Sequence, residues 1–312
     1  MIKPSWFIYT VLAFLVLSCG PNEEETATKG HLRVLVSESV APVLEEEVNQ
    51  FMSLYKARGA DVSCAVMQSE EADNHFVYDT ARMIITTIPL TPQEKDRVKN
   101  TTDHLVDIVL AYDGVIAVVR DDNPRNNMTV RQMQDVLNGR VATWNELGRP
   151  RRDGRIHVML EDSSDVSMYL SRRLLGGKEI SARFRHTSSS RQTLQEVADD
   201  SLSLGFVGLN WFDSAGTRIK ILALAADSSV ADTSFKPPPE SIGHAYSPHP
   251  AHLYLNYYPL KRAIFVYART TPGDFATGFA SYLASPAGQR IFLNEGLVPG
   301  TQKIVLKSPE EQ

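Results

Sequence analysis

The sequence predicts an α/β fold with mainly parallel sheets, and three observations predict it. Apolar strand-like runs alternate with segments of helical apolar spacing along most of the chain, the pattern of sheets flanked by helices. Polar loops twice fall in the same place, after a strand and before a helix, at Ser37-Glu38-Ser39 and at Glu161-Asp162-Ser163-Ser164-Asp165. The length of 312 residues suits two domains or one large one.

The elements justify this in order. Leu32, Val34, Leu35 and Val36 form a buried strand over His31 to Ser37. Val43, Leu44, Val48, Phe51 and Tyr55 then recur at helical spacing, with Ser39 and Pro42 as the start signal. Met83 to Ile85 is a short strand ending in Thr86-Thr87, and Pro92 opens a helix. Two apolar runs, Ile108 to Ala111 and Val115 to Val119, are split by Tyr112-Asp113-Gly114, a sequence that predicts a turn or bend. Thr129 to Leu137, Val166 to Leu175 and Thr193 to Ala198 read as helices, with strands over Ile156 to Leu160 and Leu204 to Trp211. A Pro- and Ser-rich connection over Thr233 to Pro250 precedes a strand at Ala263 to Tyr267 and helices at Thr277 to Leu283 and Ala287 to Leu293.

Composition bounds the function. Hydrophobic residues at 43% and charged residues at 22% exclude a wholly disordered chain and a multi-span membrane protein. The net charge of −5 weighs against nucleic acid as a partner, since phosphate-backbone binders carry a basic surplus. The cysteines are Cys19 and Cys64, too few for a disulfide framework or a multi-cysteine zinc site.

Residues 1–18 read as a targeting segment: Lys3, an apolar run from Trp6 to Leu17, then Ser18 just before Cys19. The run is short for a membrane span. Val16-Leu17-Ser18-Cys19 resembles the lipobox of bacterial lipoproteins, which implies lipidation of Cys19. Residues 19–30, with Glu23-Glu24-Glu25, form an acidic flexible tether. The protein is therefore expected on the membrane as a lipoprotein facing the periplasm, or on the cell surface if the acidic tract serves as an export signal.

Nothing in the sequence recommends an enzyme. His186 beside Thr187-Ser188-Ser189-Ser190 is explained by a loop and a helix cap. His244, His249 and His252 have no acidic or cysteine partner at supporting spacing, so no metal and no cofactor are expected. Trp144 and Trp211 read as packing residues. No Gly-rich phosphate loop and no G-x-S-x-G or H-E-x-x-H motif occurs.

One resemblance runs through the chain. Tyr112-Asp113-Gly114-Val115-Ile116-Ala117, Asp122-Asn123-Pro124, Met128-Thr129-Val130 and Trp144-Asn145-Glu146-Leu147-Gly148 are similar to segments of the phosphate-binding component of phosphate ABC importers. Leu204-Gly205-Phe206-Val207-Gly208, Tyr258-Pro259-Leu260-Lys261-Arg262, Ser285-Pro286-Ala287-Gly288-Gln289-Arg290 and Gly296-Leu297-Val298-Pro299 follow in the same order. The resemblance covers Leu32 to Leu306 and looks closest to the lipoprotein branch of Bacteroidetes. It implies a two-lobed, type II-like periplasmic-binding fold, with mixed or parallel sheets flanked by helices and a ligand cleft between lobes that close about hinges. Lobe one would combine residues 31–112 and 249–306, and lobe two would be 113–248, with Tyr112-Asp113-Gly114 as the first hinge and the second in the Pro-rich stretch before Tyr258.

The resemblance also implies three ligand loops. They fall on Ser37, Glu38 and Ser39; on Thr86 and Thr87; and on Ser163, Ser164 and Asp165. The hydroxyls suit an oxyanion, but Ile88 and Leu160 stand where the family has arginines, and Glu38 and Asp165 add negative charge. Arginine supplies bidentate, charge-assisted bonds to phosphate, so its absence weakens the expected site. Ser39 and Ser164 also fit helix N-caps. Two functions follow. One is a lipid-anchored solute-binding protein that hands phosphate or another small oxyanion to a membrane transporter. The other is an interaction scaffold of a cell-envelope complex whose cleft no longer binds phosphate.

Overall fold

The computed structural model describes residues 25–304 except Asp79, 151–152, Asp162, Arg183, Thr217 and 228–235. The targeting segment, Cys19 and the first half of the acidic tether, up to residue 24, lie outside the described residues. No helix among the described residues is long and apolar enough to cross a membrane.

The strands are β1 Gly30–Ser37, β2 Ala60–Met67, β3 Met83–Thr86, β4 His104–Arg120, β5 Asn127–Thr129, β6 His157–Glu161, β7 Phe184–Thr187, β8 Ser203–Gly208, β9 Ile219–Ile221, β10 Ala223–Ala225, β11 Ala245–Tyr246, β12 Lys261–Thr270 and β13 Val298–Pro299. The helices are α1 Ala41–Tyr55, α2 Ser69–Val77, α3 Pro92–Lys99, α4 Val130–Leu137, α5 Asp165–Leu175, α6 Ser190–Asp199, α7 Pro250–Tyr254, α8 Phe275–Ala284 and α9 Pro286–Asn294. The order across the main sheet is β2-β1-β3-β12-β4-β8-β6-β7.

The fold is α/β and two-lobed. Its sheet is mixed and flanked by helices, within the mixed or parallel arrangement that the resemblance implies. β1 pairs in parallel with β2 and β3, and β6 with β7 and β8. The centre is antiparallel, because β4 runs against both β12 and β8. β4 carries the chain out of lobe one and β12 carries it back, so the two run in opposite directions.

The turn expected at Tyr112-Asp113-Gly114 does not form. β4 is one strand of 17 residues, paired with β12 up to Gly114 and with β8 from Val115. Asp-Gly can sit in a strand here because Asp113 faces Arg262 on β12, its register partner. The strand thereby joins two cores. Val34, Val36, Phe51, Ile264, Phe279 and Phe292 pack in the first. Val115, Val119, Trp144, Val158, Leu160, Leu170 and Phe206 pack in the second. Leu253, Tyr258 and Leu260 belong to that second core.

Trp144 and Trp211 are buried packing residues, and Trp144 Nε1 donates to the Leu202 carbonyl. Ser189 caps α6, accepting from the Gln192 amide at 3.1 Å. His249 caps α7, and no group of three metal-ligating side chains occurs among the described residues.

Candidate functional site

The sequence builds the site by ending strands in hydroxyl residues at the line where the lobes meet. β1 ends in Ser37, β3 ends in Thr86 and is followed by Thr87, and β2 leads into α2, whose first residue is Ser69. All are on lobe one. From lobe two, α5 presents its own first residue, Asp165, which is 2% exposed.

Asp165 fills the centre of the lobe-one loops. Its Oδ2 accepts from Ser37 Oγ, from Ser69 Oγ at 2.5 Å, from Thr87 Oγ1 at 2.9 Å and from Ser39 Oγ at 3.2 Å. Its Oδ1 accepts from the Ser69 backbone amide at 3.0 Å. That amide belongs to the first turn of α2, where free N–H groups and the helix dipole favour an anion. Four hydroxyls and one amide thus converge on one carboxylate.

Further groups support the ring from behind. Thr86 Oγ1 donates to Ser69 Oγ at 2.8 Å, and Arg262 Nη1 donates to Thr87 Oγ1 at 3.4 Å. Arg262 is otherwise committed: its Nη2 and Nε lie 2.7 and 3.0 Å from Asp113 Oδ2, with both side chains buried. Burial raises the Asp113 pKa, and Arg262 opposes that rise. Gly208 at the end of β8 permits this crowding, since a Cβ there would lie 2.6 Å from the Ser39 carbonyl oxygen and 2.9 Å from Arg262 Nη2.

The expected site residues separate into three groups. Ser37, Ser39, Thr87 and Asp165 come together, with Thr86 one bond behind. Ser39 is not a helix cap, because α1 begins after Val40 and the Ser39 hydroxyl turns to the ring. Ser164 is a cap: its Oγ accepts from the Ser167 amide at 3.2 Å and donates to the Glu161 carbonyl at 2.9 Å. It makes no bond to the ring. Ser163 stands apart in a left-handed turn with φ of 54°.

Glu38 also leaves the ring. Its carboxylate accepts from the Ser190 amide at 2.9 Å and the Ser190 hydroxyl at 2.8 Å, at the start of α6 on lobe two. Burial raises its pKa, and the bonds from Ser190 hold it down. The negative charge that Glu38 and Asp165 bring is therefore not bare, for each carboxylate is seated on donors of the opposite lobe. Gln68 Nε2 adds a further inter-lobe bond, to Glu161 Oε1 at 2.5 Å.

Ser69 and Arg262 were not recognised from sequence as part of the ring. The Ser69-Glu70-Glu71 run does carry a helix-start pattern, with acids in the first turn. Arg262 lies in the Tyr258–Arg262 segment, which carries the family resemblance but is not one of the three ligand loops it implies.

The model of the PBP superfamily domain matches residues 21–287. The chain belongs to that family. Within the PBP superfamily it is similar to the phosphate-binding protein PstS of Borreliella burgdorferi, 23% identical over 308 residues that cover 93% of this chain and 96% of that protein. The PstS of Staphylococcus epidermidis is 21% identical over 83% of this chain and 77% of its own length. A putative phosphate ABC transporter substrate-binding protein from Clostridium perfringens, solved with bound phosphate, superposes with a TM-score of 0.67 at 17% identity, covering 86% of this chain and 99% of that one. The chain resembles these phosphate-binding proteins and is a binding protein, not an enzyme.

Proposed function

We propose that this chain is a lipid-anchored solute-binding protein of the phosphate-binding type, with the lobe-one ring as its oxyanion seat. One observation carries this reading. Ser37, Ser39, Ser69 and Thr87 aim their hydroxyls at a single carboxylate, and the Ser69 amide joins them. Donors arranged in this way suit phosphate or another small oxyanion equally well.

Asp165 occupies that seat. Capture is then an exchange: the lobes separate, Asp165 leaves with α5, and a solute oxygen takes its place on lobe one. Anchoring through Cys19 would hold the protein at the membrane facing the periplasm, or on the cell surface, and a membrane transporter would receive the solute. The lobes in this reading are 31–112 with 249–306, and 113–248.

A second reading is favoured by the same carboxylate. With Asp165 and Glu38 each bonded across the cleft, the lobes are latched by the chain itself, as suits an interaction scaffold in an envelope complex. Calorimetry separates the two. Phosphate and sulfate are titrated into residues 20–312, as wild type and as Asp165→Ala. Binding by either protein, lost on Ser69→Ala, supports the oxyanion seat. Heat from neither leaves the scaffold.

A further inference from the structure

Beside the filled ring, the lobes enclose a cavity of about 560 Å³. Its lobe-one wall carries Ile88, Pro89 and Phe265, and its lobe-two wall Met168 and Tyr169. This volume falls in the range of small-molecule sites and greatly exceeds what a bare tetrahedral oxyanion needs. The walls are also of the wrong chemistry for such an ion, since an aliphatic, a ring and a thioether surface gain nothing from it.

The charges on the lining are not equivalent. Asp165 is held by the ring. Arg262 is paired with Asp113, and Arg173 donates from Nε and Nη2 to the Pro259 carbonyl. Arg172 is exposed, lines the cavity, and has no ion-pair or hydrogen-bond partner among the described residues. A cavity with apolar walls and one uncommitted guanidinium suits a ligand of matching pattern.

We propose that this cavity is a second seat in the cleft, taking an organic monoanion with an aromatic or aliphatic body whose acid group rests on Arg172. Ile88 is central to the difference. It presents a hydrocarbon surface directly after Thr87, so a ligand beside the ring meets apolar wall where a charged donor would have drawn in phosphate. The inference rests on the cleft being a solute site, yet it fails separately from the ring, because the two are probed by different residues and different anions.

The probe is 1-anilinonaphthalene-8-sulfonate, an aromatic sulfonate, titrated into the soluble chain of residues 20–312 and followed by fluorescence. One binding site is expected, emptied by benzoate and hexanoate but not by benzylamine, and not by phosphate at the same concentration. Arg172→Gln should weaken the probe about tenfold. Met168→Asp, which places a carboxylate on the apolar wall, should weaken it at least as much. Melting curves of the variants confirm folding; Arg172 is exposed, so its variant decides the matter if Met168→Asp unfolds. The proposal is overturned if no probe binds, if benzylamine competes as well as benzoate, or if folded Arg172→Gln binds as wild type does.

Discussion

Thr87 Oγ1 lies 2.9 Å from Asp165 Oδ2 while accepting a bond from Arg262 Nη1 at 3.4 Å. The hydroxyl stands between the cation of lobe one and the anion of lobe two. Arg262 keeps its close contacts for Asp113, and it touches the ring through Thr87. The ring therefore holds its anion chiefly with neutral donors.

Removing that anion should loosen the cleft. Asp165→Ala deletes the acceptor of five bonds, each worth about 1.5–3 kcal/mol at most when the partner is charged. Water can reach the freed donors once the lobes part, so the net loss should be only about 1–3 kcal/mol. The expected outcome is a modest fall in denaturant midpoint with a larger radius of gyration by solution scattering. An unchanged radius together with unchanged stability would mean that Asp165 does not latch the lobes.

The Asp113–Arg262 pair should behave differently, because neither partner can escape to water. Arg262 is 2% exposed and Asp113 fully buried. Arg262→Ala leaves a buried carboxylate uncompensated, and a loss of about 3–5 kcal/mol is expected. Adding Asp113→Ala removes the stranded charge and should restore part of it. A double variant as unstable as the sum of the singles would show that the pair is not coupled. Urea melts of the four proteins provide the measurement.

Three carboxyls give the protein a pH signature. Burial raises Glu47 to about 9, Asp73 to about 8 and Glu161 to about 7. An acid whose folded pKa lies above its unfolded value stabilises the fold fully below the unfolded value. That stabilisation is lost as pH rises through the folded one. For Glu47 the window runs from 4.5 to about 9. Neither of its carboxyl oxygens has a hydrogen-bond partner among the described residues. Glu47→Gln should therefore flatten the decline of stability across this window by about 1.4 kcal/mol per pH unit. The comparison is unfolding free energy against pH for the two proteins, and equal slopes would contradict it.

Lipidation is tested in cells. Cys19→Ala should move the protein from the membrane fraction to the soluble fraction, or arrest it as the uncleaved precursor. Unchanged fractionation with an unmodified mass for the wild-type amino terminus would exclude the anchor.

The fold was legible because apolar runs and helix starts are local signals. Thr91 and Thr129 each form a capping box with the residue three positions on, and the helices they open are those the sequence predicts. What escaped depended on long-range pairing. β2 alternates weakly, with Cys64, Ala65 and Met67 only half-buried, and it gains its place by pairing with β1. Asp113-Gly114 looked like a turn because the sequence does not display Arg262, its partner 149 positions away. In the site, hydroxyl-rich strand ends were readable. The meeting of Asp165 with Ser37 was not, since they lie 128 positions apart and on opposite lobes.

The same distinction separates two substitutions that the sequence makes look equivalent. Ile88 and Leu160 both stand where related proteins are expected to carry an arginine. Leu160 is fully buried in β6, between β7 and β8, within the second core. Leu160→Arg would place a guanidinium there without a partner, so a loss of about 3–5 kcal/mol or failure to fold is expected. Ile88 is half-buried on the wall of the inter-lobe cavity, and an arginine there can keep its head in the cleft. Ile88→Arg should therefore fold. In the otherwise wild-type chain the new cation stands beside Asp165 and is partly spent on it, so phosphate binding should gain little. In the Asp165→Ala background the carboxylate is gone, and Ile88→Arg should strengthen phosphate binding at least tenfold, because a charge-assisted bond is worth more than a neutral one. Calorimetry on Ile88→Arg, Asp165→Ala and their combination reads this directly. Equal affinity with and without the arginine in the Asp165→Ala background would mean that position 88 does not face the oxyanion seat.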